Sequence, residues 1–76
     1  MKSDFYFSRH AKKQMKWRGI TQDEAIETIS NYDKIENSIN NRKNAYKHIG
    51  EKYLKVTFTE ELNKVIIITA ILKENK

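Results

Sequence analysis

The chain contains no cysteine and no proline, and it has only two glycines. Without cysteine there is no disulfide framework, no thiol nucleophile and no thiolate zinc site. So little proline and glycine leaves no linker and no low-complexity tail to recognise. Long apolar runs are missing as well. The longest, Val65 to Leu72, is eight residues broken by Thr69, far short of the roughly 20 needed to cross a bilayer. Residues 1–10 carry no apolar stretch of signal-peptide length. A cytoplasmic domain with no membrane partner is the expectation.

What is present is charge. The 76 residues hold 15 Lys plus Arg against 10 Asp plus Glu, a formal net charge of +5. A chain this short forms one domain, residues 1–76, because half of it could not build a core. Hydrophobic content is 38 %, enough for a marginal core to which a partner would add stability. The charges fall in blocks. Residues 1–20 hold six basic side chains and one acid; residues 21–41 hold one base and five acids; residues 42–56 hold five bases and one acid. Two basic blocks around an acidic segment are not a disordered basic tail. They point to an anionic partner, with solubility as the plain alternative.

Asp4 to Phe7 alternates aromatic and polar residues and reads as a short strand or an apolar lead-in. Ser8 is a natural N-cap for a helix ending at Gly19. Ala11 and Met15 share one of its faces, and His10, Gln14 and Trp17 share a neighbouring one. Thr21 and Glu24 form a capping box before a second helix, expected from Gln22 to about Tyr32. Most of the acidic block is thereby the start and solvated face of a helix. From Lys34 the apolar period falls to two. Lys34–Ile39 is a possible short strand, Arg42–Ile49 a polar one, and Tyr53–Thr59 alternates cleanly. Gly50 turns the chain between the last two, and Asn63 is the residue suited to a left-handed turn before Val65. The β-branched run from Val65 reads as a mid-sheet strand. The expected fold is α+β: two N-terminal helices packed on one face of a three- to four-stranded antiparallel sheet, with Lys55 and polar neighbours on the other.

Several residues could carry chemistry. His10 can take and give a proton near neutral pH, though it is equally an ordinary half-buried histidine near Trp17. Arg18 can fork two bonds onto a phosphate, or simply complement a helix C-terminus. On an alternating strand, Arg42, Asn44, Tyr46 and His48 share one face, and Lys43, Ala45, Lys47 and Ile49 the other. An inward Lys47 is unusual; a charged edge strand is the alternative. Basic residues interleaved with Tyr46 and Tyr53 suit phosphate contacts and base stacking. Two histidines 38 residues apart, with no cysteine, match no metal pattern, and no Gly-rich phosphate loop is present. No metal and no cofactor is expected.

The stretch Ser8-Arg9-His10-Ala11-Lys12-Lys13-Gln14-Met15-Lys16-Trp17-Arg18-Gly19-Ile20 resembles the opening motif of a small bacterial domain family of uncharacterised function. That motif runs His-Ala-x-x-Arg-Met-x-x-Arg-Gly-Ile. The basic Tyr-containing strand, Gly50, Tyr53-Leu54-Lys55-Val56 and Ile68-Thr69-Ala70 extend the likeness over nearly the whole chain. The family in turn is similar to the RelE/ParE-like toxin superfamily. The resemblance implies helices followed by an antiparallel sheet. It also implies a metal-independent endoribonuclease of a toxin–antitoxin system, although some members poison DNA gyrase and cut nothing. His10, Met15, Arg18, Gly19 and Ile20 fall on motif positions; the Arg usual before the Met is Gln14 here.

On this resemblance His10 is the proton-transfer residue. Arg18 and Lys47 stabilise the phosphate, and Tyr46 or His48 is a second acid/base or a stacking platform. Lys12, Lys13, Lys16, Arg42, Lys43, Tyr53 and Lys55 position the RNA, free or on the ribosome. The alternatives are a non-catalytic module binding RNA, ribosome or gyrase, and a subunit whose basic face mates with a small acidic antitoxin. The catalytic expectation requires His10, Arg18 and Lys47 to converge on one groove.

Overall fold

The computed structural model describes residues 4–73. In chain order its elements are β1 (Asp4–Phe7), α1 (Arg9–Arg18), α2 (Gln22–Ser30), β2 (Lys34–Asn37), a 3-10 turn (Ile39–Asn41), β3 (Arg42–Ile49), β4 (Lys52–Glu61) and β5 (Lys64–Leu72). The strands form one sheet in the order β1-β5-β4-β3-β2. Strands β2 to β5 pair antiparallel with their neighbours, while β1 lies parallel to β5, with Asp4 opposite Lys64 and Phe7 opposite Ile67.

This corrects the expected architecture. The sheet has five strands rather than three or four and is mixed rather than antiparallel, and a strand precedes the helices. The physical reason is that β1 is only four residues long. Its partner lies at the far end of the chain, so no turn or local period announces the pairing.

The helices form where their caps stand. The Ser8 hydroxyl oxygen accepts from the Ala11 N–H at 3.0 Å and its O–H donates to the Ile68 carbonyl at 3.0 Å. The first contact caps α1 and the second pins its start to β5. The Ile68 carbonyl is free for this because β5 bulges there: Thr57 pairs with Thr69 but Phe58 with Ile67. Gly19 closes α1 at φ 70°, returning its N–H to Met15. The Thr21–Glu24 capping box is formed, with bonds of 3.0 and 2.9 Å, and α2 ends at Ser30, two residues earlier than expected.

Both helices pack on the same sheet face. The core joins Ala11, Met15, Ile20 and Ala25 to Ala45, Leu54, Val56, Phe58, Val65, Ile67 and Ala70. Thr28 is fully buried there, and its hydroxyl donates to the Glu24 carbonyl at 2.8 Å, which removes the cost of burying it. Lys52 ties three elements together at the rim. Its ammonium donates to the Gly19 carbonyl at 2.8 Å and to both Glu24 carboxylate oxygens at 3.2 Å. At the β4–β5 turn the left-handed residue is Leu62 (φ 52°) rather than the expected Asn63. The Asn63 carbonyl instead accepts the Asp4 N–H at 3.0 Å, which starts the β1–β5 pairing.

The Glu24 carboxyl is held below its ordinary value of 4.5 by the Thr21 backbone N–H first and by Lys52 next. A depressed carboxyl contributes stability that is complete above its ordinary value and is lost as pH falls below it. Lys52→Met is expected to cost about 1 kcal/mol near neutral pH, the partial exposure of the pair limiting the effect. The cost should shrink at an acid pH well below that ordinary value, as Glu24 takes up its proton. Urea midpoints at the two pH values check this; an equal cost at both would overturn it.

Candidate functional site

The chemistry-bearing residues occupy two surfaces on opposite sides of the sheet. The first is the outer side of α1. With Ala11 and Met15 buried beneath it, helical spacing turns Arg9, His10, Lys13, Lys16 and Trp17 to solvent. Trp17 is 84 % exposed. His10, Lys13, Gln14, Lys16 and Trp17 line a shallow, mainly apolar groove of about 560 Å³. Arg18 lies on its flank, and its Nε–H donates to Gln14 Oε1 at 3.0 Å. An arginine at position 14 would place a second cation there; glutamine instead supplies an acceptor.

The second surface is the sheet face that no helix covers. Its residues follow from the pairing register, because directly opposed residues share a face. Opposed pairs His48–Tyr53, Tyr46–Lys55, Asn44–Thr57 and Arg42–Thr59 all lie on it. The His48 and Tyr53 rings stack with centroids 4.2 Å apart, and Tyr53 continues to Tyr46 at 5.9 Å. The Lys34 ammonium sits 5.5 Å from the Tyr46 ring centre, a cation–π distance. The Tyr46 hydroxyl donates to Glu36 at 2.8 Å. Burial, and then that bond to a carboxylate, push the Tyr46 phenol up to about 12, so it is a donor and not a base at neutral pH.

Asp33 closes one end of this row. It accepts the His48 backbone N–H at 2.9 Å, and its carboxylate also lies 3.7 Å from His48 Nδ1 and 3.8 Å from the Lys47 ammonium. The His48 N–H, followed by the charges of Lys47 and His48, holds the Asp33 carboxyl below its ordinary value.

The expected catalytic set is therefore not assembled. His10 and Arg18 belong to the outer side of α1, and Tyr46 to the open sheet face. Lys47 lies opposite Leu54 on the helix-covered face, four-fifths buried at its side chain and facing Asp33. Lys43 also turns to that side, opposite Phe58, and pairs with Glu60 at 3.2 Å. The two basic blocks border no common groove. Lys12, Lys13 and Lys16 are on α1; Arg42, His48, Tyr53 and Lys55 share the open face. Lys2 lies outside the described residues. Asp33, Lys34 and Glu36 were not expected from sequence. They meet β3 only through the β2–β3 register, which no spacing reveals.

The chain belongs to the family DUF4258, a domain of unknown function, whose model matches residues 7–72. The match reaches nearly all the described residues and links the chain to no toxin. No curated protein and no solved structure matches the chain. Among the described residues no helix is long and apolar enough to cross a membrane.

The Tyr46 environment is directly measurable. A raised phenol stabilises the fold fully below its ordinary value of 10, and that contribution is lost as pH rises toward about 12. Phenolate absorbance in an alkaline titration should show a step near pH 12 that Tyr46→Phe removes. Glu36→Gln should move that step to lower pH; an unmoved step would refute the assignment of the hydrogen bond.

Proposed function

We propose that this protein is a toxin-type endoribonuclease that works without a metal on single-stranded RNA laid across the open sheet face. One observation carries the proposal: the His48–Tyr53–Tyr46 stack, with Asp33 beside the histidine, on a face no helix covers. Stacked aromatics receive bases whatever their sequence. Arg42 and Lys55, neither within 4.0 Å of a carboxylate among the described residues, supply phosphate contacts. Asp33 faces Nδ1 of His48, which leaves Nε2 for the substrate; the 3.7 Å contact would tighten into a hydrogen bond on binding.

In the step proposed, His48 Nε2 takes the proton of a ribose 2′-hydroxyl. The 2′-oxygen then bonds to the adjacent phosphorus and the bond from phosphorus to the 5′-oxygen breaks. The leaving 5′-oxygen takes a proton from the Lys55 ammonium, diagonal to His48 across the β3–β4 pair at about 7 Å. The products are a 2′,3′-cyclic phosphate and a 5′-hydroxyl. Positive charge from Lys55 and Arg42 steadies the phosphorane. His48 takes the role the motif resemblance gives to His10, because His48 has an orienting carboxylate.

A second reading is binding without cleavage, to RNA, ribosome or gyrase. The scatter of His10, Arg18, Lys47 and Tyr46 over separate surfaces favours it. Incubating the pure protein with total RNA and with translating ribosomes separates the two. Wild type should cut, and His48→Ala should lose at least 100-fold of the rate while still binding RNA salt-dependently, with affinity lowered only by the lost stacking. His10→Ala should cut at the wild-type rate. Loss in His10→Ala with retention in His48→Ala would move the chemistry to α1, and salt-dependent binding with intact RNA would establish the non-catalytic reading.

A further inference from the structure

The outer side of α1 has a composition that the RNA face lacks. Its ten residues include five cations, Arg9, Lys12, Lys13, Lys16 and Arg18, and no acid. Among the described residues, none of the five lies within 4.0 Å of a carboxylate. Lys34, Lys43, Lys47 and Lys52 each have an acidic neighbour within the chain, so uncompensated positive charge is concentrated on α1, with Arg42 and Lys55 apart from it on the open sheet face. In the last turn of α1 stands Trp17, the chain's single tryptophan, 84 % exposed. An indole so placed contributes nothing to this fold.

We infer that this face of α1 is a docking site for an acidic amphipathic helix of another protein. The spacing carries the geometry. His10, Lys13, Gln14 and Trp17 stand at i, i+3, i+4 and i+7, the stripe that receives the side chains of a second helix. The groove they line with Lys16 exposes mainly carbon, from the Trp17 indole and the stems of its polar neighbours, which suits aliphatic side chains flanked by carboxylates. A tryptophan ringed by charged, flexible side chains is the anatomy of a protein–protein anchor. The uncompensated cations select for Asp and Glu on both flanks of the incoming helix. The partner therefore has apolar residues at i, i+3 or i+4, and i+7, bordered by carboxylates. Ten residues of α1 span about 15 Å, which two to three turns of partner would cover. The site lies across the sheet from the stack of Tyr46, Tyr53 and His48, so a partner helix and RNA can be held together.

The probe is a synthetic 16-residue helix with Leu at the seam positions and Glu on the flanks. Its controls are a scrambled peptide of the same composition, a 15-nucleotide RNA and vesicles of anionic lipid. Trp17 emission reports occupancy, since no other tryptophan contributes. The expected result is a saturable blue shift with the patterned peptide and at least tenfold weaker binding of the scrambled one. With a labelled peptide, Trp17→Ala and Lys13→Glu/Lys16→Glu should each lower affinity tenfold or more, while circular dichroism shows both variants folded. Equal binding of the scrambled peptide would overturn the proposal, as would a shift produced better by RNA or vesicles, or no shift with the peptide. None of these results depends on RNA cleavage, so this inference and the reading of the sheet face fail separately.

Discussion

Two short helices can cover one face of this sheet and no more. Each is about 10 Å across with its side chains, and five strands about 4.8 Å apart place the outer axes roughly 19 Å from one another. Helices α1 and α2 therefore fill the width of one face and leave nothing for the other. Everything on the open face must satisfy itself with neighbours in the sheet and solvent. That is why Tyr46, placed on a face without a helix, is nonetheless buried: Tyr53 and Lys34 pack on it and Glu36 receives its hydroxyl. The same constraint leaves α1 with an outer side that contacts no other layer.

Charge is distributed by the same logic. Strands β2 to β4 bring acids and bases into register, so Lys34 meets Glu36, Lys43 meets Glu60, and Lys47 shares Asp33 with His48. The exposed pairs among these contribute little to stability, but all of them lower the net charge of the sheet. An isolated helix has no such register to exploit. The net +5 of the chain is consequently expressed mainly on α1 and, on the open face, through Arg42 and Lys55.

Local signals in the sequence were read well. Ser8, Gly19 and the Thr21–Glu24 box bound the helices as expected, and alternation placed Arg42, Asn44, Tyr46 and His48 on one face; it left Lys47 open between an inward and an edge position, which the pairing with Leu54 decides as inward. What depends on contacts between distant residues was not legible. The β1–β5 pairing has no hairpin turn to mark it, and the Asp33–His48 contact arises because β2 aligns with β3. The left-handed turn residue was expected at Asn63 on propensity, but tertiary pairing of the Asn63 carbonyl with β1 moved it to Leu62. The proposed convergence of His10, Arg18 and Lys47 failed for a related reason. Proximity to basic neighbours in sequence says nothing about which side of a sheet an element occupies.

The place of β5 in the sheet bears on how the chain is made. Among the described residues it comes after every other strand in the chain, yet it lies between β1 and β4 and receives the Ser8 cap of α1 at its bulge. Until it arrives, β1 has no strand partner, α1 has no floor and β4 shows a bare apolar edge. Folding of the domain therefore awaits the longest-range contacts it has. Loss of β5 would cut β1 off from the rest of the sheet and take the floor from α1, rather than trim a border.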